Sequence, residues 1–397
     1  MWMDRAKRIY TVLFISVFAT MLGLGIISPL LPIYAEDLGA TGIWLGVVFS
    51  AFALSRSVFM PIVGRLSDQR GRKQILLIGL LAYSVVSLGY IVAGNVYALT
   101  GVRFVHGLAS AMVVPIAMAY IGDLSEKGKE GSHMGNFSIS LFLGMGAGPL
   151  LGGLLNDTFG LASVFYMMAG LSAFACILVG SSLPAAAGRP IPAGGELPSF
   201  RDVLSLGSMR GVVIFTMINA VGRGSTMVFI PIFAPLIALS PFEVGVLLSS
   251  NIFLMALLQV PVGWFTDRGH KIALILAGSL ITSVSLILIP LTHSFWPLLA
   301  VTSLLGVGSA VQQPSIMALT VESGKLLGMG TAMAAYNTVM GIGMIIAPLA
   351  GGLFLDVLGI EAVFYAGGLT CIAATFVFSF AMRKARQRSA EAASNVD

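Results

Sequence analysis

Long apolar runs, broken by short polar clusters, fill most of this 397-residue chain. A bilayer core of about 30 Å takes about 20 apolar residues at a 1.5 Å rise per residue. On that measure twelve runs predict spanning helices, over 9–34, 43–63, 74–94, 97–122, 134–155, 161–183, 211–236, 243–264, 272–291, 297–320, 329–354 and 360–382. The first run follows Arg5, Lys7 and Arg8, but it is too long for a signal peptide and ends without a small-residue cleavage site, so it is read as a retained span. The predicted class is an all-α membrane protein of twelve transmembrane helices.

Basic residues mark alternate connections. One side carries Arg5, Lys7, Arg8, Arg65, Arg70, Arg72, Lys73, Lys127, Lys129, Arg189, Arg201, Arg210, Arg268, Lys271, Lys325, Arg383, Lys384, Arg386 and Arg388; the other carries none. Basic loops stay cytoplasmic, so both termini are expected there, in a multi-pass plasma-membrane protein of the prokaryotic inner-membrane type. Trp44 and Trp296 open spans on the outer side, and the Asn156-Asp157-Thr158 sequon lies too close to the bilayer to be expected to carry a glycan. The stretch 184–210 is rich in Pro, Gly and Ala and reads as a linker; its part from Phe200 to Leu206 reads either as a short interfacial helix or as an ordered loop.

An internal repeat sharpens the domain division. At an offset of 199 residues Pro32 aligns with Pro231, Gly107 with Gly306, Ser110 with Ser309, Pro115 with Pro314 and Asp123 with Glu322. The run from Gly148 to Asp157 falls on Ala347 to Asp356 in the same register. The expected organisation is a six-helix bundle over 1–183, a cytoplasmic linker 184–210, a second bundle over 211–382 and a basic tail 383–397. Parallel repeats of this kind rock about a site between them, which points to alternating access.

Composition excludes most other classes. Apolar side chains make up 57% and charged ones 10%, against about 25% charged in soluble domains. Cys176 and Cys371 both lie in apolar runs, so neither a disulfide framework nor a metal site is expected, and no cofactor is implied. No basic cluster accompanies a soluble fold, which argues against nucleic acid as a partner. No HExxH, paired aspartates or Ser/Lys dyad suggests an intramembrane enzyme, and no filter loop suggests a channel. The implied partners are the bilayer and a small-molecule substrate, with the chain taken as a monomer.

Candidate chemistry sits in the few charges inside the spans: Arg56, Arg103 and Arg223. Each costs roughly 2.5 kcal/mol or more at mid-bilayer, so each is expected to face the interior. Their repeat mates are Met255, Thr302 and Leu24, so the scaffold itself does not need them. Arg56 can alternatively snorkel toward the cytoplasmic mouth. His106 follows Arg103 by one turn on the same face, and is either a titrating group or a histidine satisfied between helices. No Asp or Glu lies in the middle of a span, so the interior reads as cationic and suited to an anionic or amphipathic substrate. Asn219, Asn251, Gln259, Gln312, Gln313, Tyr336 and Asn337 add uncharged donors and acceptors, as substrate contacts or as interhelical hydrogen bonds.

Three motifs resemble those of the major facilitator superfamily. Gly64-Arg65-Leu66-Ser67-Asp68-Gln69-Arg70-Gly71-Arg72-Lys73 resembles its loop 2–3 signature, and a copy one residue shorter follows span 8 around Asp267. In this loop Asp68 can cap a helix and Arg72 can reach Asp123; the resemblance implies a conformational latch formed by Gly64, Asp68, Gly71, Arg72, Asp123 and Asp267, with a surface ion pair as the alternative. Gly144, Gly148, Pro149, Gly152 and Gly153 resemble the signature of the drug and proton antiporter branch, and their spacing clears a helix face for close packing. Arg103-x-x-His106-Gly107 resembles the span 4 motif whose arginine the family implicates in proton transfer. The resemblance thus implies a secondary transporter, most directly a proton-coupled exporter of multidrug type. A facilitator or symporter of organic anions or lysolipids is the alternative.

Overall fold

The computed structural model describes residues 2–124, 130–184, 206–224, 226–327 and 329–394, which contain helices and turns and no strand. Lys127, Lys129, Arg189, Arg201 and most of the 184–210 linker, including 200–205, lie outside the described residues. Twelve stretches are long and apolar enough to cross a membrane, from Arg8–Ile27 to Ile360–Lys384, matching the twelve apolar runs.

Prolines explain where a run is not one helix. The first run divides into α1 (Trp2–Ile27) and α2 (Leu31–Asp37), with Pro29 in the turn between them and Pro32 at the start of α2. Proline lacks the amide hydrogen a helix interior needs but suits a first turn, where that donor would be unpaired. The fourth run divides likewise into α5 (Val96–Ala111) and α6 (Val114–Leu124), with Pro115 in the first turn of α6. The remaining helices of the first half are α3 (Gly42–Arg70), α4 (Arg72–Gly89), α7 (Glu130–Phe159) and α8 (Leu161–Ser182). The second half contains α9 (Gly207–Gly224), α10 (Thr226–Phe233), α11 (Pro241–Asp267), α12 (Lys271–Leu288), α13 (Phe295–Leu327), α14 (Met329–Leu358) and α15 (Ile360–Ser394).

The chain groups into two compact units, one of Met1–Ala193 with Met227–Ile252, the other of Gly194–Thr226 with Phe253–Asp397. In the first, α1 packs on α7 and α8, and α4 on α5 and α8; in the second, α9 packs on α14 and α15, and α12 on α13 and α15. These pairings correspond span for span under the 199-residue repeat. Met227–Ile252 groups with the first unit through close packing of α11 on α7, described below.

Polarity is inverted relative to a soluble protein. Val85, Ile177, Phe376 and Phe380 are each at least 61% exposed, whereas Ser55, Ser87, Ser172, Ser279 and Thr282 are fully buried. Apolar side chains outside and hydroxyls inside are what a hydrocarbon solvent selects, because a lipid-facing hydroxyl has no partner there. Each unit has its own apolar core, around Leu13, Leu80 and Phe137 in the first and Phe215, Ile275 and Phe378 in the second.

Candidate functional site

In the first unit the intramembrane charges gather where α3, α4 and α5 meet. The Asn95 side chain accepts from the Ala98 amide at 2.8 Å and caps α5, placing Arg103 two turns inside that helix. Gly107 lies flat against α3: a β-carbon there would overlap the Phe52 carbonyl and come within 3.0 Å of Ser55. That close approach turns Arg103 and His106 into the helix contact. The Arg103 guanidinium lies 4.4 Å from the centre of the Phe52 ring and 5.2 Å from that of Phe49, and donates to the Tyr90 hydroxyl at 3.5 Å. The same hydroxyl is 2.7 Å from Nδ1 of His106. The imidazole meets the Tyr83 ring edge-on at 4.2 Å and is fully buried, while Arg103 is 5% exposed.

Tyr90 is itself fixed. Its ring stacks on Phe165 at 5.3 Å, and the Tyr34 hydroxyl donates to the carbonyls of Tyr90 and Ala93. Arg56, half-buried on α3, lies within electrostatic reach of Tyr83. Five buried atoms of this region have no hydrogen-bond partner among the described residues: Ser55 Oγ, Tyr83 OH, Arg103 Nε, His106 Nε2 and Ser110 Oγ.

The second unit holds a different arginine. Arg223 lies on α9. Its Nη1 donates to Ser309 Oγ on α13 at 2.7 Å. Gln313 donates to the Tyr336 hydroxyl at 2.7 Å. Arg223 is half-buried, and none of its nitrogens is among the buried atoms lacking a partner. No carboxylate pairs with Arg56, Arg103 or Arg223 among the described residues.

The uncharged residues divide. Asn219, one turn before Arg223, points to Ser279 on α12 and Cys371 on α15, in a cluster where Thr375 donates to Ser279 at 2.7 Å; these contacts link three helices. Gln312 is 1% exposed, and both of its amide atoms lack a partner among the described residues. Asn337 is exposed, and Asn251 is half-buried on the part of α11 that groups with the first unit.

In the loop between α3 and α4, Asp68 pairs with Arg72 at 3.1 Å, across Gly71 with its left-handed φ of 94°. Gly71 is the N-cap residue of α4. Lys73 donates to the carbonyls of Gly180 and Leu183, tying α4 to the end of α8. The Asp123 side chain lies outside the described residues. At the repeat offset the counterparts of Arg72 and Asp123 are Lys271 and Glu322, and these form an ion pair. Asp267 is exposed.

On α7, Gly144, Gly148 and Gly152 line the face against α1: a β-carbon at Gly144 would sit 2.7 Å from the Phe18 carbonyl, and at Gly148 and Gly152 it would overlap Gly25 and Ile26. Gly153 faces Pro241 at the start of α11, and Gly245 of α11 faces the Pro149 carbonyl. Leu150 N donates to Ser249 Oγ at 3.2 Å, and Asp157 accepts from the Phe242 amide at 3.2 Å.

A family model described as Major Facilitator Superfamily matches residues 13–215 and again 212–396, one match for each half of the repeat. The chain belongs to the Major Facilitator Superfamily. It is 30% identical to an uncharacterised MFS-type transporter of Methanocaldococcus jannaschii, over 90% of this chain and 94% of that one. It is 28% identical to the quinolone resistance protein NorA of Staphylococcus aureus, over 90% and 92%. Among solved structures it resembles the nucleoside transporter NupG, with a TM-score of 0.79 at 15% identity over 94% of this chain and 99% of that one. It also resembles a bacterial homologue of the lysosomal transporter Spinster, with a TM-score of 0.75 at 13% identity over 95% of each. The protein is therefore a multi-pass membrane transporter of a small molecule, and not an enzyme.

The span 4 arginine of this chain is surrounded by aromatic side chains. Tyr90, Tyr83, Phe52 and Phe49 were not singled out by the sequence reasoning, because single aromatics on separate spans carry no spacing signal. Only the small residue at Gly107 marks the place where another helix comes close. Ser309 was legible only as the repeat mate of Ser110.

Proposed function

We propose that this transporter is a proton-coupled exporter of small amphipathic or anionic organic compounds, working by alternating access as a monomer in the cell membrane with both termini cytoplasmic. Its two six-helix bundles, 1–183 and 211–382, are joined by the 184–210 linker. The observation that carries the substrate class is Arg223, a half-buried guanidinium bonded to Ser309 and with no carboxylate partner among the described residues. A planar guanidinium held in this way suits a carboxylate or phosphate. The relation to a quinolone resistance protein supports efflux, and a carboxylate-bearing quinolone is a suitable probe. Arg103 supports the reading by contrast: its guanidinium is closed in by Phe49, Phe52 and Tyr90, which suits a role in coupling rather than in binding substrate.

The test uses proteoliposomes with an acidic interior and a fluorescent quinolone outside. Exchange for protons predicts uptake driven by the gradient, and Arg223→Ala is expected to reduce it about 10- to 100-fold, the equivalent of about 1.5–3 kcal/mol for a hydrogen bond to a charged group. Uptake indifferent to the gradient would replace antiport with facilitated passage. Full uptake by Arg223→Ala would make this arginine a structural charge.

A further inference from the structure

We infer that Tyr90 is a positioning residue that makes protonation of His106 and retention of Arg103 mutually exclusive. The inference deepens the proton-coupled reading above and assigns its proton to a site in the first unit. It follows from counting donors around one oxygen. A guanidinium only donates, so in the 3.5 Å contact with Arg103 the Tyr90 oxygen is the acceptor. The single proton of Tyr90 is then free for the 2.7 Å contact with His106 Nδ1, which must be unprotonated to receive it. His106 is therefore neutral, with its proton on Nε2.

The other assignments leave more groups unpaired. With the proton on Nδ1, the imidazole would donate to Tyr90, whose own hydroxyl hydrogen would find no other acceptor among the described residues, and Nε2 would become an unpaired acceptor. With both nitrogens protonated, two cations would share one oxygen in a fully buried site. The groups around His106 offer no compensation. From α4 it meets Tyr90 and Tyr83, from α3 the Phe52 ring at 5.3 Å, with Arg56 beyond, and on its own helix Arg103. None of these is a carboxylate.

The linkage runs in both directions. When Arg103 leaves Tyr90, the oxygen loses one donor and can accept from a protonated Nδ1; the hydroxyl hydrogen turns away, and His106 takes a proton from water of the compartment then open to it. When Arg103 returns, that proton is released to water. A conformational change that moves Arg103 is thereby tied to the gain or loss of one proton, without any carboxylate in the span.

The test reads the tautomer directly and needs neither a substrate nor a gradient, so it stands apart from the transport reading. The full chain is labelled with 15N-histidine in nanodiscs. It has four histidines, and His106→Gln identifies the signal of interest. Wild-type protein is expected to show His106 as the neutral tautomer with the proton on Nε2 across about pH 5 to 8, the range in which exposed histidines titrate. Tyr90→Phe is expected to mix the two tautomers. Tyr83→Phe, which removes a hydroxyl with no partner among the described residues, should leave the spectrum unchanged. Arg103→Gln, which removes the competing cation, is expected to let a doubly protonated His106 signal appear within that range. A wild-type proton on Nδ1, or a Tyr90→Phe spectrum identical to wild type, overturns the inference.

Discussion

A guanidinium placed inside a membrane protein must be satisfied by something, and this chain does it in two ways. Arg103 is enclosed by two aromatic rings and a phenol, an arrangement in which cation–π attraction contributes about 0.5–2 kcal/mol. Arg223 has one strong bond to a serine. The difference predicts different behaviour on mutation. Ser309→Ala removes the acceptor of an Arg223 hydrogen bond and is expected to lower the melting temperature of the substrate-free protein, while Ser309→Thr, which keeps the oxygen, restores it; a differential scanning measurement in detergent reads both. Phe52→Leu should leave Arg223-dependent binding intact while loosening Arg103, seen as a changed pH dependence of gradient-driven uptake. The Arg-x-x-His-Gly spacing was legible because these residues share one helix, and helical period alone puts them on one face. The phenol between them was not, because it comes from a neighbouring span and its approach is set by packing.

Between elements, the deciding feature is how little space separates the backbones. The small residues of α7 serve two neighbours: Gly144, Gly148 and Gly152 take α1, while Gly153 takes the start of α11. Spacing predicted that one face would be clear, but not that the adjacent glycine serves a second helix. Gly148→Val must push backbone against backbone and is expected to cost about 1–3 kcal/mol or more, read as reduced folded yield and a lower melting temperature. Asp157→Ala is milder. It removes an acceptor for Phe242 N and a negative charge at a helix N-terminus, worth about 0.3–1 kcal/mol, and should make an engineered cysteine at Phe242 more reactive toward a water-soluble maleimide. Unchanged labelling would show that this contact does not hold α11. In the loop signature Asp68 pairs with Arg72, and the repeat counterparts of Arg72 and Asp123, Lys271 and Glu322, pair with each other.

For the whole molecule, hydropathy was the most informative level of the sequence. Among the described residues the twelve apolar runs became twelve helical stretches of spanning length because backbone groups in lipid must be satisfied within each segment. The 199-residue repeat was legible in scattered glycines and prolines, and the helix pairings of the two units repeat it. The grouping of Met227–Ile252 with the first unit was not legible, since it depends on contacts between α7 and α11 that no linear pattern encodes. Family membership fixes the protein as a transporter; its cargo must come from the charges the scaffold does not require. The central claim is that an acid-free interior selects a negatively charged cargo through Arg223. The most direct measurement compares gradient-driven uptake of a quinolone with that of its methyl ester in proteoliposomes. The account predicts at least about a tenfold preference for the free carboxylate, corresponding to about 1.4 kcal/mol, and loss of that preference in Arg223→Ala. Equal uptake of acid and ester by the wild-type protein would contradict it.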